Sequence, residues 1–123
     1  MGNPLVHFDF AADDPGALAE FYRGLFDWKI EKWGDGDDAY WMIDTGTEPG
    51  GGIMARAHPG QTGSIYFHVA SVDESAKQAQ ELGATLVVPK TEVPGMGWFA
   101  ILVDPAGNGF ALWEVNPDYQ PPQ

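Results

Sequence analysis

The sequence predicts an α+β protein built from two tandem βαβββ modules, and three observations carry that prediction. Short runs of alternating apolar residues are bounded by Gly, Pro and Asp, two stretches show helical spacing behind a capping residue, and matching landmarks recur at one constant separation. His7 and Ser64, Trp41 and Trp98, and Met54 and Ala111 are each 57 positions apart, which an internal duplication explains economically. Module one is expected at about residues 4–57 and module two at about 64–115 of a single domain of 123 residues, followed by a Pro-rich tail over 116–123.

Leu5–Phe10 alternates, with Val6, Phe8 and Phe10 on one side and Leu5, His7 and Asp9 on the other, the period of a half-buried strand. Asp13 or Asp14 then caps a helix over 14–26 that has Pro15 at its start and Leu18, Phe21, Tyr22 and Leu25 at helical spacing. Strands are expected at Trp28–Trp33, Tyr40–Thr45 and Gly52–Arg56, separated by turn-forming stretches at 34–38 and 46–51. The second module repeats the order. Ser64–Ala70 reads as a strand, Ser71 and Glu74 form a capping box, and a helix over 73–82 stops at Gly83. Thr85–Val88, Trp98–Val103 and Gly109–Val115 complete the module, with Asp104–Gly109 as the last hairpin turn.

Composition narrows the functions. Six Lys and Arg stand against 18 Asp and Glu, a net charge of −12, so the surface repels phosphate backbones and no nucleic-acid partner is expected. The absence of Cys removes thiolate nucleophiles and Cys-ligated metal centres. No apolar run reaches the ~18–20 residues of a membrane span, and the opening MGNPLVHFDF lacks the regions of a signal peptide. A soluble, cytoplasmic protein with no membrane partner is the expectation.

The motif H-F-D-F at 7–10 with L-A-E-F-Y at 18–22, V-D-E at 72–74, E-L-G-A at 81–84 and D-P-x-G-N at 104–108 resemble the vicinal-oxygen-chelate superfamily. That superfamily includes glyoxalase I, fosfomycin-resistance proteins, extradiol dioxygenases and bleomycin-binding proteins. The resemblance covers about residues 5 to 115, and within the superfamily the chain is most similar to predicted glyoxalase-related proteins of bacteria. It implies that the two modules form a curved mixed-sheet cup, the glyoxalase-like fold, and that the chain pairs as a homodimer. In metal-using members four strands each supply a His, Glu or Gln ligand, and these positions fall here on His7, Met54, Ser64 and Ala111. Methionine prefers soft metals, serine is a weak ligand and alanine has no donor, so neither metal nor other cofactor is expected.

Strand parity predicts the lining of that cup. His7 and Asp9 share a side, as do Ser64, Tyr66 and His68; Arg56 joins Met54, and Trp113 joins Ala111, with Trp98 nearby as a flat wall. Such a surface suits a small organic ligand held by stacking and a few polar anchors. The expected function is a metal-independent lyase or isomerase in which His7 or His68 moves a proton, Asp9 orients the imidazole, and Arg56 or Tyr66 stabilises developing negative charge. The alternative is a non-catalytic, bleomycin-resistance-like protein that sequesters cationic aromatic drugs by charge and tryptophans. A second alternative is a non-haem iron oxygenase-type site, since His7, Asp9 and His68 have the composition of a 2-His-1-carboxylate triad. For each of these residues a plain structural role is the competing reading. The loop Pro89–Gly97 is expected to lie over the rim, with Val93 and Met96 as a lid.

Overall fold

A computed structural model describes residues 2–36, 39–56 and 59–118. The elements run β1 (Leu5–Ala12), α1 (Pro15–Phe26), β2 (Lys29–Trp33), β3 (Tyr40–Asp44), β4 (Gly50–Ala55), β5 (Gly63–His68), α2 (Val72–Glu81), β6 (Thr85–Val93), β7 (Gly97–Val103) and β8 (Gly109–Val115). The expected α+β order, βαβββ twice, is therefore present. The chain divides into two compact units, Val6–Ser64 and the remainder up to Leu5 and from Ile65 onward.

In the first unit the strands lie in the order β2-β3-β4-β1, with β2, β3 and β4 antiparallel and β1 parallel to β4. α1 begins where Asp14 Oδ1 accepts the N–H of Ala17 at 3.1 Å and Pro15 occupies the first turn, which has no use for its missing N–H. It ends at Asp27, which adopts a left-handed conformation (φ 57°) and donates its N–H to Arg23 O at 3.0 Å. The helix lays Ala19, Leu18 and Tyr22 on Phe8, Phe10, Ile30, Ile43 and Ile53. That is the side of β1 to which alternation assigns Phe8 and Phe10, so His7 and Asp9 are left on the face away from α1. Trp41 belongs to the α1 face, where Lys32 Nζ stands 5.4 Å from its ring centroid.

In the second unit the order is β5-β8-β7-β6, with β5 parallel to β8 and the other pairs antiparallel. Ser71 caps α2 by accepting the Glu74 N–H at 3.2 Å, and Gly83 supplies the left-handed residue after it (φ 111°). Val69, Val72, Ala100, Leu102 and Leu112 form the core beneath α2. The turn between β7 and β8 is held by Asp104, whose Oδ1 accepts the N–H groups of Ala106 and Asn108, both at 2.9 Å.

Two local expectations are corrected. Strand β6 continues to Val93, and Met96 donates its N–H to Val93 O at 3.0 Å with Gly95 at φ 77°, so the expected lid is strand followed by a tight turn. Gly50 and Gly51 are strand residues and not turn, because a three-glycine run that pairs on both sides continues the ladder. Of the Pro-rich tail, residues 119–123 lie outside the described residues. No helix among the described residues is long and apolar enough to cross a membrane.

Candidate functional site

Register assembles a polar group on the face of the first sheet opposite α1. His7 pairs with Gly50 and Asp9 with Gly52 across β1 and β4, while Met42 pairs with Gly52 and Tyr40 with Met54 across β3 and β4. Strands β1 and β3 are thus separated by β4, roughly 9–10 Å at two inter-strand spacings. The phenol of Tyr40 bridges that gap. It can do so because Gly52 has no side chain: a Cβ built there overlaps the Tyr40 hydroxyl and ring. The Tyr40 hydroxyl lies 2.8 Å from His7 Nε2, and the two rings stack with centroids 6.4 Å apart and planes 20° from parallel.

Asp9 completes the group. It is only 3% exposed, and its Oδ1 accepts the backbone N–H of Ser64 at 2.8 Å. Burial pushes the Tyr40 phenol far above its ordinary pKa and the Asp9 charge pushes it further, so the hydroxyl keeps its proton. Burial also lowers the pKa of His7, which favours the neutral imidazole.

The lowered His7 pKa makes stability depend on pH in a definite direction. The unfolded chain takes up this proton near pH 6.5 while the folded chain resists it, so the contribution is whole above that pH and is lost as pH falls below it. One such group changes the unfolding free energy by at most about 1.4 kcal/mol per pH unit. Urea midpoints measured between pH 7.5 and 5.5 are expected to fall more in the wild type than in His7→Gln. Equal declines in the two proteins would show that His7 is not held neutral.

The sequence matches the glyoxalase-like domain family over residues 6–113. The chain belongs to this family. Anthracycline biosynthesis protein DnrV of Streptomyces peucetius is 30% identical over 126 aligned positions, which cover 86% of this chain and 45% of DnrV. The chain thus spans about half the length of this relative. Among solved structures, a hypothetical protein of Bacillus halodurans superposes with a TM-score of 0.74 at 16% identity over 100% of both chains. Methylmalonyl-CoA epimerase of Mycobacterium tuberculosis superposes with a TM-score of 0.67 at 16% identity, covering 92% of this chain and 88% of the epimerase. These likenesses establish the glyoxalase-like fold.

The other expected site residues of this glyoxalase-like chain are distributed as follows. Met54 shares the face of Tyr40 and His7. Arg56 lies past the end of β4, where it pairs with Asp13 at 2.9 Å and donates from Nε to Gln61 O at 2.7 Å. There its charge faces the exposed carboxylate of Asp13. In the second unit, Tyr66 pairs with Ala111 and His68 with Trp113, on the face away from α2. Trp113 packs on Gly97, where a Cβ would come within 3.0 Å of the indole. Trp98 is corrected as well: it packs on the α2 core with Ala100 and Leu102, and Lys90 Nζ stands 5.1 Å from its ring centroid. It faces opposite to Trp113, because in β7 and β8 Trp98 pairs with Glu114, whose carboxylate turns to the α2 N-terminus and accepts the Val72 N–H.

The four positions that the superfamily resemblance points to carry His7, Met54, Ser64 and Ala111. Of the four positions that carry ligands in metal-using relatives, only His7 has a strong donor for a divalent ion. Among the described residues no three His, Asp or Glu form a group able to hold a metal ion. Tyr40 and Gly52 were missed by sequence reasoning. Period-two alternation with the core residue Trp41 was the available signal, since it places Tyr40 on the face away from α1.

Proposed function

We propose that this glyoxalase-like chain binds a small organic carbonyl compound and acts on it as a lyase or isomerase through its own side chains. The reading is carried by the His7–Tyr40 pair beside the buried Asp9 carboxylate, with pKa values of His and Tyr pushed apart in the sense that suits acid–base work. Proton transfer next to a carbonyl needs a donor at the oxygen and a base at the carbon. A neutral donor pair and a carboxylate on one sheet face are groups of those two kinds. DnrV, named for anthracycline biosynthesis, makes an anthracycline a suitable member of a ligand panel. Homodimeric assembly in the cytoplasm belongs to the same reading, supported by the exposed Phe21, Leu25 and Phe26 of α1.

Tryptophan fluorescence against small carbonyl compounds, an anthracycline and cationic aromatic compounds tests the reading, with proton NMR following deuterium uptake from solvent into the ligand. Carbonyl compounds are expected to bind and exchange. His7→Ala is expected to weaken their binding about 2- to 12-fold, the equivalent of one hydrogen bond of ~0.5–1.5 kcal/mol. Unchanged binding and exchange in His7→Ala would make the residue structural and end the enzyme reading. The net charge of −12 favours the alternative, a protein that sequesters cationic aromatic compounds. Binding of cations alone, without exchange, would select it.

A further inference from the structure

Strand β2 is the edge strand of the first unit and sends its side chains to two sides. Ile30 belongs to the core under α1, and Lys32 stands over the ring of Trp41, which packs on the same core. Alternation therefore turns Lys29, Glu31 and Trp33 to the face away from α1. Register sets Trp33 opposite Tyr40 and Tyr40 opposite Met54 on the next strand, and Met42 shares the face of Tyr40 two residues along. Four large side chains thus lie side by side: Trp33, which is 56% exposed, and the half-buried Tyr40, Met42 and Met54.

The face of an antiparallel sheet away from its helix ordinarily carries polar residues, and this one does so at its other end, where Lys29, Glu31 and Asp44 stand. Apolar side chains left partly in water and rimmed by polar ones mark a binding surface. Its size selects the occupant. From β2 to β4 is two inter-strand spacings, roughly 9–10 Å, the length of a fused two-ring compound. Four side chains are far fewer than the ~20–30 residues a side of a stable protein interface. Its chemistry selects again: the indole offers a flat π face, the thioethers adapt to a ring edge, and the patch ends at the Tyr40 hydroxyl, 2.8 Å from His7 Nε2.

We propose that Trp33 is a specificity-determining residue whose indole stacks on a planar ring of the ligand, with Met42 and Met54 along the ring edge, so that the chain selects fused aromatic compounds over small aliphatic ones. The carbonyl group on such a compound rests on the function proposed above; the ring rests on the apolar patch alone.

Two-dimensional proton–nitrogen spectra resolve the indole N–H groups, and that of Trp33 is assigned by its loss in Trp33→Phe. Three probes separate ring from carbonyl: acetylnaphthalene has both, naphthalenemethanol has only the ring, and pentanone has only the carbonyl. Both ring probes are expected to shift the Trp33 signal, and Trp33→Ala is expected to weaken them about 2- to 12-fold while leaving pentanone unaffected. Ring probes that fail to bind, or that bind Trp33→Ala as tightly and leave the wild-type Trp33 signal unmoved, would overturn the proposal. A change of assembly in Trp33→Ala, seen by light scattering, would also overturn it, by making the patch a contact between copies. The two readings fail separately. Stacking on Trp33 with no deuterium uptake into acetylnaphthalene keeps the ring site and ends the carbonyl chemistry, whereas exchange of pentanone with no binding of either ring probe does the reverse.

Discussion

Ile53→Ala is expected to lower the unfolding free energy by about 2–5 kcal/mol, the range for truncating a fully buried aliphatic side chain. Ile53 has no exposed surface and sits among Ala19, Ile30 and Ile43 in the core under α1. Its neighbours are fixed on three different elements, so the space left by the lost atoms cannot close by moving one side chain. Lost transfer free energy and lost contacts therefore add. Urea denaturation followed by circular dichroism measures the effect, with the slope expected to stay constant and the midpoint to fall. A loss under about 1 kcal/mol would mean that the site collapses onto the cavity and that the core is less rigidly held than its burial indicates. Leu102→Ala probes the equivalent position under α2, where Leu102 is also wholly buried, and the same range applies.

The second large effect is expected at Gly52, where alanine should destabilise by about 1–3 kcal/mol and detach Tyr40 from His7. Two terms oppose each other. Replacing glycine by alanine restricts the unfolded chain and stabilises by about 0.4–1 kcal/mol wherever the native backbone accepts a side chain. Gly52 is an ordinary strand residue, without the positive φ found at Gly46 or Gly95, so that gain is available. Against it, the new Cβ overlaps the Tyr40 hydroxyl and ring, and the overlap is relieved only if the phenol swings out of its notch. Its departure costs the bond to His7 and leaves a void on the sheet, so the loss exceeds the entropic gain. Chemical denaturation measures the stability term, and the NMR signals of the His7 ring, compared with wild type, measure the detachment. A Gly52→Ala protein as stable as wild type with an unchanged His7 signal would show that the notch does not hold the phenol.

Local rules made much of the architecture legible. Asp13 or Asp14, of which the structure uses Asp14, and Ser71 were readable as caps because a side-chain oxygen before a helical run satisfies N–H groups that no helix can satisfy for itself. The alternation of Phe8 and Phe10 against His7 and Asp9 sorted β1 into its two faces, and α1 covers the apolar one. Trp98 was misplaced, and Arg56 sits at a strand end. Arg56 lies one residue past the end of β4, with its N–H still bonded to Ala12 O at 3.1 Å and its guanidinium paired with Asp13. Trp98 alternates with Phe99 and shares its side with Ala100 and Leu102, so its own strand placed it on the helix face; expecting a flat wall from it gave weight to the residue type over the parity.

The order of helices and strands, the helix caps, and the side of β1 on which His7 and Asp9 stand follow from local pattern, because each depends on residues within a few positions of one another. The meeting of His7 with Tyr40 follows from the folded sheet alone. Tyr40 is 33 positions away, and its approach depends on β4 lying between β1 and β3, on the register that sets Gly52 opposite Asp9 and Met42, and on the missing side chain at that crossing. Strand order and register are collective outcomes of hydrophobic burial and hydrogen-bond pairing over a whole sheet, and a shift of one residue would turn the glycine to the other face. No local pattern carries that information, which is why the bond that sets the chemistry of His7 appears only in the folded sheet.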